Sequence, residues 1–148
     1  MDIWLSRGAA LMVVGRYHDA IEDFDRYLEN DNRNERASYF RGVAKVAVGK
    51  YREGIDDLTI SLGRNNGRGI AHLVRGLAYA ELGEQDDAIL DINSAEVFSD
   101  AEMKSFRKLF GSGGNPFRNS KALLADENAP WNNLLSRESA SKLLNLLQ

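Results

Sequence analysis

One interval governs the chain. Arg7-Gly8 returns as Arg41-Gly42 and Arg75-Gly76, and Ala10, Gly15, Ile21 and Asp23 return as Ala44, Gly49, Ile55 and Asp57, then as Ala78, Gly83, Ile89 and Asp91, always at steps of 34 residues. A fixed period of this length means that each unit is one supersecondary motif, unable to bury its apolar face alone and completed by its neighbours. Within the first unit Trp4, Gly8 and Leu11 share one helical face, Gly15 interrupts, and Ala20, Ile21, Phe24, Tyr27 and Leu28 resume the helical spacing. Each unit therefore reads as a helical hairpin, and the chain as an all-α stack of hairpins.

Two recurrent features predict how the hairpins close. Glycine inside a helix costs about 1 kcal/mol relative to alanine, so Gly8, Gly42 and Gly76 require close approach of a partner helix at Ala20, Gly54 and Ala88. Arg7 and Asp23 lie at similar distances either side of the turn, so antiparallel helices bring them level. For the middle unit, Arg41 is expected to pair with Asp57 or with Asp23 of the preceding hairpin. The acidic residues that open each second helix favour its dipole.

The combination Arg-Gly, then Ala-Ile-x-Asp-Phe, resembles the tetratricopeptide repeat family. The first unit carries the pattern at Trp4, Gly8, Gly15, Tyr17, Ala20, Phe24 and Leu28, and the third at Gly76, Tyr79, Gly83, Ala88 and Ala95. The resemblance implies a right-handed superhelix of antiparallel hairpins over residues 1–102, in units 1–34, 35–68 and 69–102, with 103–148 a degenerate fourth unit and a C-terminal capping helix. The repeat register begins at residue 1, as it would in a piece of a longer array. The middle unit departs from the pattern, with Lys45 in place of an aromatic residue, Ser38 in place of a large apolar one and Gly54 in place of alanine. Its glycine-rich end, residues 62–67, lowers the rigidity expected of that interface.

Beyond residue 98 the period fades. Ser99 to Glu102 reads as a capping box, opening a helix with Phe106, Leu109 and Phe110 on one stripe, and Gly111 to Pro116 reads as a flexible break. A short helix over 120–126 and a last helix from Pro130 follow. In that last helix Trp131, Leu134 and Leu135 point opposite to Ala140, Leu143, Leu144 and Leu147, so it either breaks near Ser136 or is buried on two sides. Trp131 is expected to cap the stack, and Leu143, Leu144 and Leu147 to be buried in self-contact.

Composition narrows function. With no cysteine there is no disulfide, thiolate metal site or cysteine nucleophile. The net charge of −3 opposes binding a nucleic-acid backbone. Residues 1–100 hold 12 basic against 18 acidic side chains, and 101–148 hold 7 against 4, so the two parts attract. No apolar run is long enough to span a membrane and the start lacks a signal-peptide pattern, so a cytoplasmic location is expected. His18 and His72 sit on different hairpins without a partner pattern, the acidic residues recur in every unit instead of converging, and the glycine run at 111–114 follows a helix where a phosphate loop follows a strand. The expectation is no enzyme, no cofactor and no metal.

The first helices carry a second apolar face. It consists of Leu5, Ala9, Met12 and Val13, then Tyr39, Val43, Val46 and Ala47, then Ile70, Leu73, Leu77 and Ala80, with Asp2, Arg36 and Glu81 at the margins. The resemblance implies that this face lines the concave groove in which partner peptides lie. The places of the family's carboxylate clamp for chaperone tails hold Leu5, Ala9, Phe40, Ile70 and Val74, which cannot bind a carboxylate. The reading is a protein–protein interaction module, an adaptor or scaffold, that takes an amphipathic or apolar segment in this groove. The alternative is structural self-assembly, with the C-terminal tail in its own or a neighbour's groove.

Overall fold

The computed structural model describes residues 3–95, 99–110, 116–126, 128–129, 131 and 134–148. Among them are nine helices: α1 (Ile3–Val13), α2 (Tyr17–Asn30), α3 (Glu35–Ala47), α4 (Tyr51–Arg64), α5 (Gly69–Glu81), α6 (Gln85–Ser94), α7 (Asp100–Phe110), α8 (Arg118–Ala125) and α9 (Arg137–Leu147). Pairs α1–α2, α3–α4 and α5–α6 form the hairpins, and α2 against α3 and α4 against α5 join them into a stack. The first helices also touch one another in series and form the inner wall.

The hairpin turns use glycine for its conformation. Gly15, Gly49 and Gly83 have φ of +81°, +84° and +78°, a left-handed geometry that side chains disfavour. Each is followed by a backbone bond that closes the helix end: Arg16 N–H to the Leu11 carbonyl, Lys50 to Lys45 and Glu84 to Tyr79, at 2.8–2.9 Å. The seam glycines answer to close approach. A Cβ on Gly42 would stand 3.1 Å from the Gly54 carbonyl and 2.9 Å from Leu58 Cγ, and one on Gly76 3.1 Å from the Ala88 carbonyl. At Gly8 the obstacle is the Phe24 ring, at 2.6 Å.

The C-terminal region turns back over the stack. Helix α7 lies against α1 and α5, α8 against α5, and α9 against α8. Ser99 Oγ accepts the Glu102 N–H at 3.1 Å, which supplies the N-terminal cap expected of α7. The last helix does break: Ser136 is the N-cap of α9, its Oγ accepting the Ser139 N–H at 3.0 Å. Trp131 and Leu135 are buried ahead of that cap while Leu134 is exposed. In α9 the buried set is Leu143, Leu146 and Leu147, with Leu144 half-buried, so the apolar face is rotated slightly from the one expected. The expected glycine break at 111–115 lies outside the described residues, as do Asp2 and Pro130.

Candidate functional site

The ladder of ion pairs fixes the hairpins that carry the concave face. Arg7 donates from Nε and Nη2 to Asp23 at 2.8 and 2.7 Å, and Arg75 does the same to Asp91 at 2.7 Å for both bonds. Arg41 holds Asp57 through Nε at 2.8 Å and Nη2 at 2.9 Å. Its free edge, Nη1, reaches the preceding hairpin at Asp25, 2.9 Å away, and not at Asp23. Asp23 is already spent on Arg7, and Asp25 lies on the side of α2 that faces α3. Arg75 Nη1 repeats the reach to the equivalent residue Thr59, at 3.2 Å. The hydrogen bonds from Arg7 hold the Asp23 carboxyl below its usual range, outweighing burial, which acts the other way.

The middle unit's departures become intelligible in the same geometry. Lys45 takes the place of an aromatic residue and puts its ammonium 3.0 Å from Asp57, giving that buried carboxylate a second cation. Gly54 replaces alanine because a Cβ there would stand 2.6 Å from Val46 Cγ2. Ser38 is buried, and at its level an open cleft of about 580 Å³ separates α2, α3 and α4. His72, its counterpart in the third unit, bridges Asp91 at 3.4 Å and the Asn66 carbonyl at 3.0 Å, a structural role. His18 is exposed.

On the concave wall, Met12, Tyr39, Val43, Val46, Leu73 and Leu77 are buried, while Leu5, Ala9, Ala47 and Ile70 are partly covered. Helices α7 and α8 supply the cover, with Phe106, Phe110 and Phe117 clustered at ring separations of 4.7–6.0 Å. Val43, fully buried, is therefore a core residue. Its apolar character is shared with the seam because this face too is packed within the chain.

Three polar anchors, which sequence reasoning missed, fasten the cover. Tyr17 Oη donates to the Leu109 carbonyl at 2.6 Å, and its repeat equivalent Tyr51 donates to the Pro116 carbonyl. Glu81, at the end of α5, accepts the N–H groups of Asn119 at 3.1 Å and Ser120 at 2.6 Å, and the Ser120 hydroxyl at 2.7 Å. A carboxylate thus caps the first turn of α8 from another helix, where the unpaired N–H groups and the dipole favour it. Burial raises the Tyr17 and Tyr51 hydroxyls above their ordinary pKa and keeps them as donors. At the other end of the wall Arg68 stacks 4.2 Å over the Tyr39 ring and pairs with Glu35 at 2.6 Å. Burial pushes the Tyr39 hydroxyl up to about 12.

A family model described as tetratricopeptide repeat matches residues 5–45 and 41–103. The chain belongs to the tetratricopeptide repeat family. Tetratricopeptide arrays are protein-interaction scaffolds, and this chain has that scaffold. Its fold is also that of solved structures titled as crystal structures of MamA. One is 23% identical with a TM-score of 0.65, over 97% of this chain and 74% of that one, and a second has the same identity and score over 97% and 69%. A MamA RS-1 ArsTM double mutant is 20% identical with a TM-score of 0.67, over 97% and 72%. At these identities the likeness is one of fold. No curated protein matches the chain. Among the described residues no helix is long and apolar enough to cross a membrane, and no group of three or more His, Asp or Glu side chains is placed to hold a metal ion.

Proposed function

We propose that the concave face of the three-hairpin unit, residues 1–102, is a helix-binding groove, and that residues 103–148 with the start of α7 act as its tethered occupant. The observation that carries this reading is the set of anchors from Tyr17, Tyr51 and Glu81, at corresponding edges of successive hairpins, to backbone groups of the C-terminal segment. Backbone groups are common to any chain, so the same anchors can receive a foreign segment. Leu5, Ala9, Met12, Tyr39, Val43, Val46, Ala47, Ile70, Leu73 and Leu77 would then accept its apolar side chains. The preferred partner is an amphipathic protein segment that mimics α7–α8: an aromatic pair one helical turn apart, a break, and a helix start offering free N–H groups to Glu81. A tethered occupant raises the apparent dissociation constant of any competitor by its high effective concentration.

The test uses a labelled peptide of residues 100–125 and fluorescence anisotropy against the full chain and its Phe106→Ala, Phe110→Ala double variant, which weakens the cis segment and leaves the groove anchors at Tyr17, Tyr51 and Glu81 intact. We expect weak binding to the full chain and at least tenfold tighter binding to the variant, whose cis segment is loosened. Equal affinities, or no binding to either, would refute the tethered-occupant reading. A second reading, self-assembly through exchange of the tail between copies, is favoured by the same anchors, since a neighbour's tail carries identical groups. A mass that rises with concentration and falls back in the double variant would support exchange in place of closure within one chain. The cytoplasm is the proposed place of action, and it fits that no helix among the described residues is long and apolar enough to cross a membrane.

A further inference from the structure

The arginine ladder ends on an unfilled position. In the second and third units one guanidinium edge crosses to the preceding hairpin, Arg41 Nη1 to Asp25 of α2 at 2.9 Å and Arg75 Nη1 to Thr59 of α4 at 3.2 Å. Arg7 holds Asp23 through Nε and Nη2 as its counterparts hold Asp57 and Asp91, so α1 has the same orientation in its hairpin as α3 and α5 have in theirs. Its Nη1 has no partner among the described residues. The face around it is bare. In the helices that α2 and α4 cover, Ala37, Ala44, Ala71 and Ala78 are fully buried, whereas their α1 equivalents Ile3 and Ala10 are exposed, Ile3 at 72%. The Arg7 side chain is 56% exposed, against 22% for Arg41 and 19% for Arg75.

We propose that the outer face of α1, at Ile3, Ser6, Arg7 and Ala10, is a docking surface for one amphipathic helix of a partner protein, lying on α1 as α2 lies on α3 and α4 on α5. The two internal copies state its chemistry. Ile21, Phe24 and Leu28 in α2 recur as Ile55, Leu58 and Leu62 in α4, and the acceptor, Asp25 or Thr59, follows the middle apolar residue. The partner helix therefore carries apolar residues at i, i+3 and i+7 and an acceptor at i+4. A carboxylate suits α1 better than a hydroxyl, because Arg7 and Arg26 line one cleft at this end and Arg26 has no ion-pair partner among the described residues. Ser6 stands where Phe40 stacks on Phe24, with ring centroids 5.9 Å apart, so the partner's middle apolar residue has room to be large. A second copy of this chain has no bare helix of this kind to offer. Its α2 and α4 are enclosed between hairpins, and in α6 the counterpart of Asp25 and Thr59, Asn93, donates from Nδ2 to the Leu134 carbonyl at 3.4 Å, in the segment whose Trp131 and Leu135 are buried. The site is independent of the groove and of the anchors at Tyr17, Tyr51 and Glu81.

The test is a titration of the isotope-labelled full chain with a synthetic peptide of residues 17–30, the α2 sequence, followed by amide NMR. Saturable shifts centred on the Ile3, Ser6, Arg7 and Ala10 amides are expected, with a dissociation constant on the order of 1 mM, since a lone helix of this length is marginal in water. The same peptide carrying Asp25→Ala should bind roughly threefold more weakly or worse, which ties recognition to the open edge of Arg7. Ala10→Glu and Ile3→Glu in the chain, both at exposed positions, should leave the fold intact and each weaken binding roughly fivefold or more. Shifts confined to groove residues such as Leu73 and Leu77, no saturable binding, or binding unchanged by Asp25→Ala in the peptide or by Ala10→Glu in the chain would overturn the proposal. Shifts of the α1 amides with protein concentration alone would overturn it in favour of a second copy as the occupant.

Discussion

Replacing Gly54 by alanine would restore the residue that the flanking hairpins carry, Ala20 and Ala88, and would remove a helix-interior glycine. On propensity alone the change should stabilise by about 1 kcal/mol. The packing opposes it. The new Cβ would stand 2.6 Å from Val46 Cγ2 and 2.8 Å from the Gly42 carbonyl, with Val46 itself fully buried and unable to move aside. Overpacking of a tight core costs about 1–3 kcal/mol, and two contacts under 3.0 Å, one of them to backbone, put this site at about 2–3 kcal/mol, so the net expectation is a destabilisation of about 1–2 kcal/mol once the propensity gain is subtracted. In a chain of this size that lowers the melting temperature by roughly 2–8 °C. The third hairpin shows why its alanine is tolerated: the residue equivalent to Val46 is Ala80. Val46→Ala should therefore relieve the clash, and Gly54→Ala should be near neutral in that background, a coupling of about 1–2 kcal/mol. Urea titrations of the four proteins, followed by circular dichroism, measure it. A wild-type background stabilised by Gly54→Ala, or a cost unchanged by Val46→Ala, would refute the reasoning.

The ion-pair ladder predicts unequal costs for equivalent arginines: Arg75→Ala leaves buried Asp91 with only His72 at 3.4 Å, whereas Arg41→Ala leaves Asp57 with Lys45 at 3.0 Å, so the loss in urea stability should be larger for Arg75. Arg7→Ala should fall between the two, since it leaves the equally buried Asp23 without an ion-pair partner among the described residues but removes an arginine whose side chain is already 56% exposed, against 19% for Arg75. Val43→Glu should abolish most of the helical signal, because an unpaired carboxylate would replace a fully buried side chain between the hairpins and their cover; a folded variant would show that the cover opens easily. Stability should fall at both ends of the pH range. The Asp23 carboxyl is held low by Arg7, and at Glu35 burial raises the pKa but hydrogen bonds from Arg68 and Ser61 more than offset it, so both contribute stability at neutral pH that is lost as pH falls below about 4. Tyr39 has a raised folded pKa, so its contribution is complete below about pH 10 and lost as pH rises toward about 12. Chemical denaturation across pH would check both limits, and Tyr39→Phe should flatten only the alkaline one.

The repeat period was enough to settle the hairpins, because everything it encodes is local or between neighbours. Gly15, Gly49 and Gly83 specify the turns, Gly42 and Gly54 the close seam, and Arg41 with Asp57 the height at which two helices meet, all within one or two units of 34 residues. The concave residues were legible as an apolar face, but an apolar face has the same composition whether it waits for a partner or packs against its own chain. Only tertiary structure places α7 and α8 against the first helices. The deciding contacts join Tyr17 to Leu109 and Tyr51 to Pro116, separations of 92 and 65 residues that no period spans, and they end on backbone carbonyls, which carry no side-chain identity for a sequence to reveal. Ser38 shows the same division: its departure from the repeat was visible in the sequence, whereas the cleft it leaves depends on how α2, α3 and α4 settle around a small side chain.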